Sequence, residues 1–183
     1  IGWISTQSLE GKTNIAPYSF FNGVLSWPNL VAFSSEDKKD TLKFSTETME
    51  FTWNVATWEL RDKMNLTSAG LKTGHSEFDY SGLRSVPGVL VGSPRVAESP
   101  ASLECKVTQI LNLVDINGDL TKGTVVFGQV VGVHIDPSFI SNGKIDTAKL
   151  RPIARCGYDE YCVIDQVFKM TRPSGAGDAY GGK

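Results

Sequence analysis

The sequence predicts a mainly β protein with a few helices, built as an antiparallel barrel with the helices packed outside. Two observations carry this. The second half holds two long runs of strand-forming residues, Ser102 to Val114 and Thr124 to Ile135, separated by Asp115-Ile116-Asn117-Gly118-Asp119. Two long strands joined by a polar turn containing glycine make a hairpin. The first half holds several short apolar runs bounded by turn residues, and only two stretches with helical spacing. Short strands, few helices and a long central hairpin favour an antiparallel barrel over an alternating α/β layout.

The elements follow in order. Ile1 to Thr6 reads as a strand, and Gly11-Lys12 suits a turn before Asn14-Ile15-Ala16-Pro17. Asn29 to Ser34 is a short apolar run with strand formers, consistent with a buried strand. Ser35 to Asp40 is a charged loop. From Thr41 a helix is predicted, with Leu42, Ser45 or Thr46, and Met49 at helical spacing and Asp40 placed to cap its start. Phe51 to Ala56 reads as a strand. Thr57 is placed to cap a second helix in which Leu60 and Met64 share a face.

In the long hairpin, Leu103, Cys105, Val107 and Gln109 are expected on one face of the first strand. Val125, Phe127, Val131 and Val133 are expected on one face of the second, with Gly128, Val130, Gly132 and His134 on the other. Apolar residues on both faces imply burial on both faces. One face would line a barrel interior, and the other would meet a helix or a second subunit.

At 183 residues one domain is expected, large enough to bury a core without covalent staples. Hydrophobic residues make up 40% and charged residues 21%, which argues against disorder. The net charge of -2 and the lack of a basic stripe do not suggest a nucleic-acid partner. No apolar run approaches the ~20 residues that span a bilayer, and nothing at the start reads as a secretory leader. The three cysteines, Cys105, Cys156 and Cys162, have no regular spacing and read as free thiols in a reducing cytoplasm. The chain opens on Ile1-Gly2-Trp3 without a methionine, so native residues are expected to precede it. The tail from 174 to 183, rich in glycine, is expected to be mobile.

Some patterns suggest chemistry and fail on context. Asp115 to Asp119 has its glycine at the fourth position rather than the sixth that a calcium loop needs, so a hairpin turn is preferred. Gly175-Ala176-Gly177 has no helix after it. His134 on a strand is read as a structural histidine ahead of a catalytic one. With only two histidines and no paired cysteine motif, a zinc centre is not expected.

Three ordered segments say more. The first is Ile1-Gly2-Trp3-Ile4-Ser5-Thr6 followed by Asn14-Ile15-Ala16-Pro17-Tyr18-Ser19-Phe20-Phe21-Asn22. The second is Lys39-Asp40-Thr41-Leu42. The third is Arg151-Pro152-Ile153-Ala154-Arg155-Cys156-Gly157 with Tyr161. Together with Pro94 to Pro100 before the long strand, they resemble the flavin reductase-like FMN-binding family, including flavoredoxin-type proteins. The resemblance spans residues 1–173.

The resemblance implies a split β-barrel in a homodimer that binds FMN, with FAD the alternative. It also implies an NAD(P)H-dependent reductase in which hydride passes to flavin N5. A flavoredoxin-like electron carrier and a non-catalytic flavin-binding module stand as alternatives. Lys39 and Thr41, with Asp40 between them and Lys38 beside, would meet the phosphate, where the N–H groups and dipole of a helix start favour an anion. Ser5 and Thr6 would offer hydroxyls to ribityl or phosphate oxygens; the plain alternative is ordinary strand residues. Asn14, Ala16, Pro17, Tyr18, Ser19 and Phe20 would lie along the isoalloxazine, and either Phe20 or Phe21 would instead be core. Ser34, at a strand end, is a weaker candidate. The family pattern has two glycines where this chain has Gly157-Tyr158, so Tyr158 could narrow the pocket. Arg155 is either part of the site or a structural partner of a carboxylate.

Overall fold

The computed structural model describes residues 1–71, 75–171 and 173. The proposed tail and its Gly175-Ala176-Gly177 lie outside the described residues. Seven antiparallel strands form the main sheet: β1 (Gly2–Gln7), β2 (Thr13–Tyr18), β3 (Phe21–Ser26), β4 (Asn29–Glu36), β5 (Glu50–Asn54), and two long strands, Ala101–Val114 and Leu120–Ile135. Short pairs lie between and after them: β6 (Ser85–Val86) with β7 (Arg95–Val96), β10 (Ile140–Ser141) with β11 (Lys144–Ile145), and β12 (Ile153–Gly157) with β13 (Glu160–Val163). The long strands are therefore β8 and β9. The helices are α1 (Asp40–Thr48), α2 (Arg61–Leu66), α3 (Glu77–Ser81) and α4 (Thr147–Leu150).

The sheet order is β2-β1-β5-β8-β9-β4-β3. Its two edge strands, β2 and β3, are consecutive in the chain. The Phe20 carbonyl in the turn between them accepts from Ser34 N–H at 2.9 Å, and Tyr18 of β2 lies 5.0 Å from Phe33 of β4, centroid to centroid. The sheet curls onto itself, as a split antiparallel barrel does.

Alternation on β1 feeds two cores, one on each side of the sheet. Ile4 packs inside the barrel with Tyr18, Val31, Phe33, Phe51, Cys105, Val107 and Val126. Trp3 packs outside, with Leu60 and Met64 at α2 and Phe78 of α3. Leu60 and Met64 thus share a buried face as predicted. The interior is dense around aromatic rings: Phe33 and Phe51 meet edge to face at 5.2 Å. Gly128 is required there, because a Cβ would stand 2.4 Å from the Phe51 ring.

Several expectations are corrected. Lys39, not Asp40, takes the cap position of α1, and no side chain caps it; Asp40 is its first helical residue, where a negative charge suits the helix dipole. Thr57 precedes a short 3-10 turn, Trp58–Leu60, but its side chain makes no cap bond and is buried. Ser35 and Glu36 belong to β4 rather than to a loop. Asn14 to Tyr18 is a strand despite Pro17, which is tolerated because β2 is an edge.

The β8–β9 hairpin carries three register shifts, at Glu104/Cys105, Val107/Gln109 and Asn112/Val114. They break simple alternation. Leu103, Cys105 and Val107 serve the interior as expected, but Gln109 is exposed and Ile110 replaces it against the core. On β9 Thr124, Val126 and Gly128 are buried, while Val133 is 59% exposed. At the hairpin tip the Asp115 carboxylate accepts from the N–H groups of Asn117 and Asp119, and Gly118 takes φ 87°. Those are a turn's own hydrogen bonds.

Candidate functional site

β2, the start of α1 and the segment after α2 surround a cleft of about 450 Å³. Asn14, Ala16, Pro17 and Tyr18 line it from β2, and Lys38, Lys39, Asp40 and Thr41 from the entry to α1. A second cleft of about 570 Å³ adjoins it, sharing Pro17 and Ser68. Trp58, Arg61, Arg155 and Tyr161 line that neighbour, with Ser19 and Cys162.

Each side chain has a local reason for its place. As an edge strand, β2 leaves one row of backbone N–H and C=O groups unpaired by the sheet. The Lys39 backbone is extended before the helix begins, so the first free N–H groups of α1 open toward the cleft end that holds Lys38 and Lys39. Asn14 is buried and donates from Nδ2 to Thr41 Oγ1 at 2.6 Å. That bond fixes β2 against α1 and leaves the Thr41 hydroxyl proton to donate elsewhere.

The Tyr18 hydroxyl is buried in the same wall and has no hydrogen-bond partner among the described residues. Burial pushes its pKa up, with the Thr41 and Ser35 side chains nearby acting the other way. It therefore stays a protonated donor. Glu77, at the start of α3, is half-buried in the cleft, and burial holds its carboxyl above the ordinary value.

Seven expected site residues are thus brought to one cleft: Asn14, Ala16, Pro17, Tyr18, Lys39, Asp40 and Thr41. Ser19 lines the adjoining one. Four are placed elsewhere. Ser5 is fully buried; its hydroxyl donates toward Thr52 O and Pro94 O and accepts from Asn54 Nδ2. Thr6 is fully buried, on a strand covered on both faces. Phe20 is 71% exposed at the β2–β3 turn, and Phe21 is the core member of the pair, stacked on Trp53 at 5.6 Å. Ser34 is a mid-strand residue paired with Val125.

Tyr158 does not narrow either cleft: it is 92% exposed, with φ 48°. Arg155 Nη2 donates to the Tyr158 carbonyl, and its guanidinium lies 5.7 Å from the Tyr161 ring centre. The arginine is both structural and part of the cleft wall. Thr67 to Leu71, Trp58 and Arg61 also line the clefts, and sequence reading missed them. The only signal was the small-residue run Ser68-Ala69-Gly70 just after a helix.

A larger cavity of about 780 Å³ lies beside His134, Arg95 and Lys149. There His134 Nε2 pairs with Glu104 Oε1, a fully buried carboxylate, as a structural histidine would. Among the described residues no group of three or more His, Cys, Asp or Glu is gathered as for a metal ion, and no helix is long and apolar enough to cross a membrane.

A fold of this kind with this cleft defines a class of protein, and comparison with known families names it. The flavin reductase-like domain model matches residues 1–146. The chain belongs to the flavin reductase-like family. An uncharacterized protein of Halalkalibacterium halodurans is 32% identical over 179 residues, covering 95% of this chain and 85% of that one. The crystal structure of nitrilotriacetate monooxygenase component B from Bacillus cereus superposes with a TM-score of 0.86 at 26% identity, over 92% of this chain and 85% of that one. Flavoredoxin of Desulfovibrio vulgaris (Miyazaki F) shares the fold, with a TM-score of 0.77 at 21% identity over 96% and 90%.

Proposed function

We propose that the paired clefts bind FMN and that the protein is an NAD(P)H-dependent flavin reductase. The observation that carries the reading is convergence. Residues from two separate segments, Asn14 to Tyr18 and Lys38 to Thr41, meet around one cleft. The residues present fit the cofactor. Lys38, Lys39, the Thr41 hydroxyl and the first N–H groups of α1 would hold the phosphate. The edge of β2 would hydrogen-bond the flavin's polar edge, and Pro17 leads into the second cleft with its aromatic and guanidinium walls. Bound there, flavin would accept hydride from a nicotinamide at N5; the protein's part is to position it and limit access.

The working domain in this reading is residues 1–173, in a homodimer located in the cytoplasm. Half-buried Val125 and Phe127 and exposed Val133 would face the partner. The likeness to component B of a monooxygenase supports a role beside a further protein component. FAD in place of FMN, and a carrier that takes electrons from a protein, are the other outcomes.

The test is a flavin titration followed by turnover. The wild type should bind FMN, and Lys39→Ala should weaken it about 5- to 10-fold, the loss of ~1 kcal/mol from one charge-assisted contact. NADH or NADPH should be oxidised with FMN present. Binding without such oxidation would leave the carrier; unchanged affinity in Lys39→Ala would sink the phosphate placement.

A further inference from the structure

Cys156 and Cys162 sit on the β12–β13 hairpin, both exposed and both free. Cys162 pairs across the hairpin with Ala154, Arg155 with Tyr161, and Gly157 with Glu160, so Cys156 is the extra residue of a bulge. A bulge re-aims its side chain. Here the Cys156 thiol is turned back toward the carbonyl of Ala154, at 4.0 Å, and Ala154 is the residue opposite Cys162. The contact with the Cys162 thiol is the main reason Cys156 holds its proton more tightly than an ordinary cysteine, followed by burial. Cys162 also lines the 570 Å³ cleft, so a small reagent reaches it.

A disulfide needs Cα atoms within ~7 Å and side chains that point together. The two cysteines lie diagonally across one short hairpin, with the Cys156 sulfur 4.0 Å from the carbonyl of Ala154, the residue directly opposite Cys162. The third cysteine contrasts sharply: Cys105 is fully buried, and burial pushes its thiol up to about 12.

We propose that Cys156 and Cys162 form a reversible dithiol–disulfide site, oxidised by a hydroperoxide. Cys162 lines the open cleft and is the first nucleophile, while the Cys156 thiol is held toward the Ala154 carbonyl. The Cys162 sulfur attacks one peroxide oxygen, the O–O bond breaks, and a sulfenic acid and water result. Cys156 then attacks that sulfur; the S–S bond forms, the S–O bond breaks and a second water leaves. Two thiols and one hydrogen peroxide become one disulfide and two waters, with both electrons passed to the peroxide. An external dithiol reverses it. The bond would tie together the strands that border the cleft. This site is independent of the flavin reading and stands or falls separately.

The test uses the whole protein and hydrogen peroxide. Thiol titration in denaturant should fall from three groups to one, with the mass of two hydrogens lost and both changes reversed by dithiothreitol. Proteolysis after Glu160 separates the two cysteines, so the link appears as a joined peptide pair. Cys156→Ser should stop at a Cys162 sulfenic acid that a dimedone probe traps. Sulfenic or sulfinic acids at both positions in the wild type without a joined peptide would overturn the proposal. Disulfides formed only between chains would overturn it equally.

Discussion

Tyr18 buries its phenol in the wall of the cleft, beside Thr41 and Ser35, with no well-formed hydrogen bond among the described residues. A buried unsatisfied hydroxyl costs about 1–3 kcal/mol, and under the proposed function a bound flavin would relieve part of that cost. Tyr18→Phe keeps the ring packed on Phe33 and removes the orphan. The expected outcome is a free protein as stable as the wild type, or up to about 1 kcal/mol more so, by urea unfolding. Flavin affinity should fall about 5-fold in the same variant, from ~1 kcal/mol of lost hydrogen bond. A merely structural tyrosine would lower both. That Asn14 to Tyr18 and Lys39 to Thr41 meet at one cleft was foreshadowed by their types and order in the sequence. Ser5 and Thr6 stand away from the cleft for a physical reason. A strand hydroxyl looks the same in sequence whether it faces a ligand or the interior, and β1 is covered on both sides.

The β8–β9 hairpin holds the protein's most committed charge. Glu104 is fully buried and accepts from the N–H groups of Val89, Leu90 and Val91 and from His134. Burial works to raise its pKa, but those four hydrogen bonds outweigh it and hold the carboxyl below its ordinary value. The carboxylate is therefore favoured by the folded state. Its contribution is present above the unfolded pKa near 4.3 and is lost as pH falls through the lower folded pKa. Glu104→Gln puts an NH₂ donor where a carboxylate oxygen accepted. It should cost about 3 kcal/mol in denaturant unfolding at neutral pH. The difference from wild type should shrink toward acid. An undiminished difference at low pH would remove the charge from the account. The hairpin itself was legible in its apolar runs and polar turn. Its shifts at Glu104/Cys105 and Val107/Gln109 were not, because a bulge adds one residue without changing composition.

Across the whole molecule, the strand order places partners far apart in the chain. The β3–β4 hairpin is local, yet β4 docks on β9, with Glu36 opposite Gly123. The overall layout was legible from element types alone, but this order was not, since nothing in a strand's pattern names its neighbour. Folding should therefore be slow for the chain's size, in milliseconds to seconds, because non-local pairings must pay loop closure first. The same docking carries a consequence for the cleft. β4 runs directly into Lys38 and Lys39, while Asn14 and Tyr18 stand on β2, so the two walls come together only once β2, β4 and α1 are joined through contacts distant in the chain. Stopped-flow refolding should show flavin capture following the slowest phase, and never preceding it. The cofactor would then report the final joining of the chain, rather than template it.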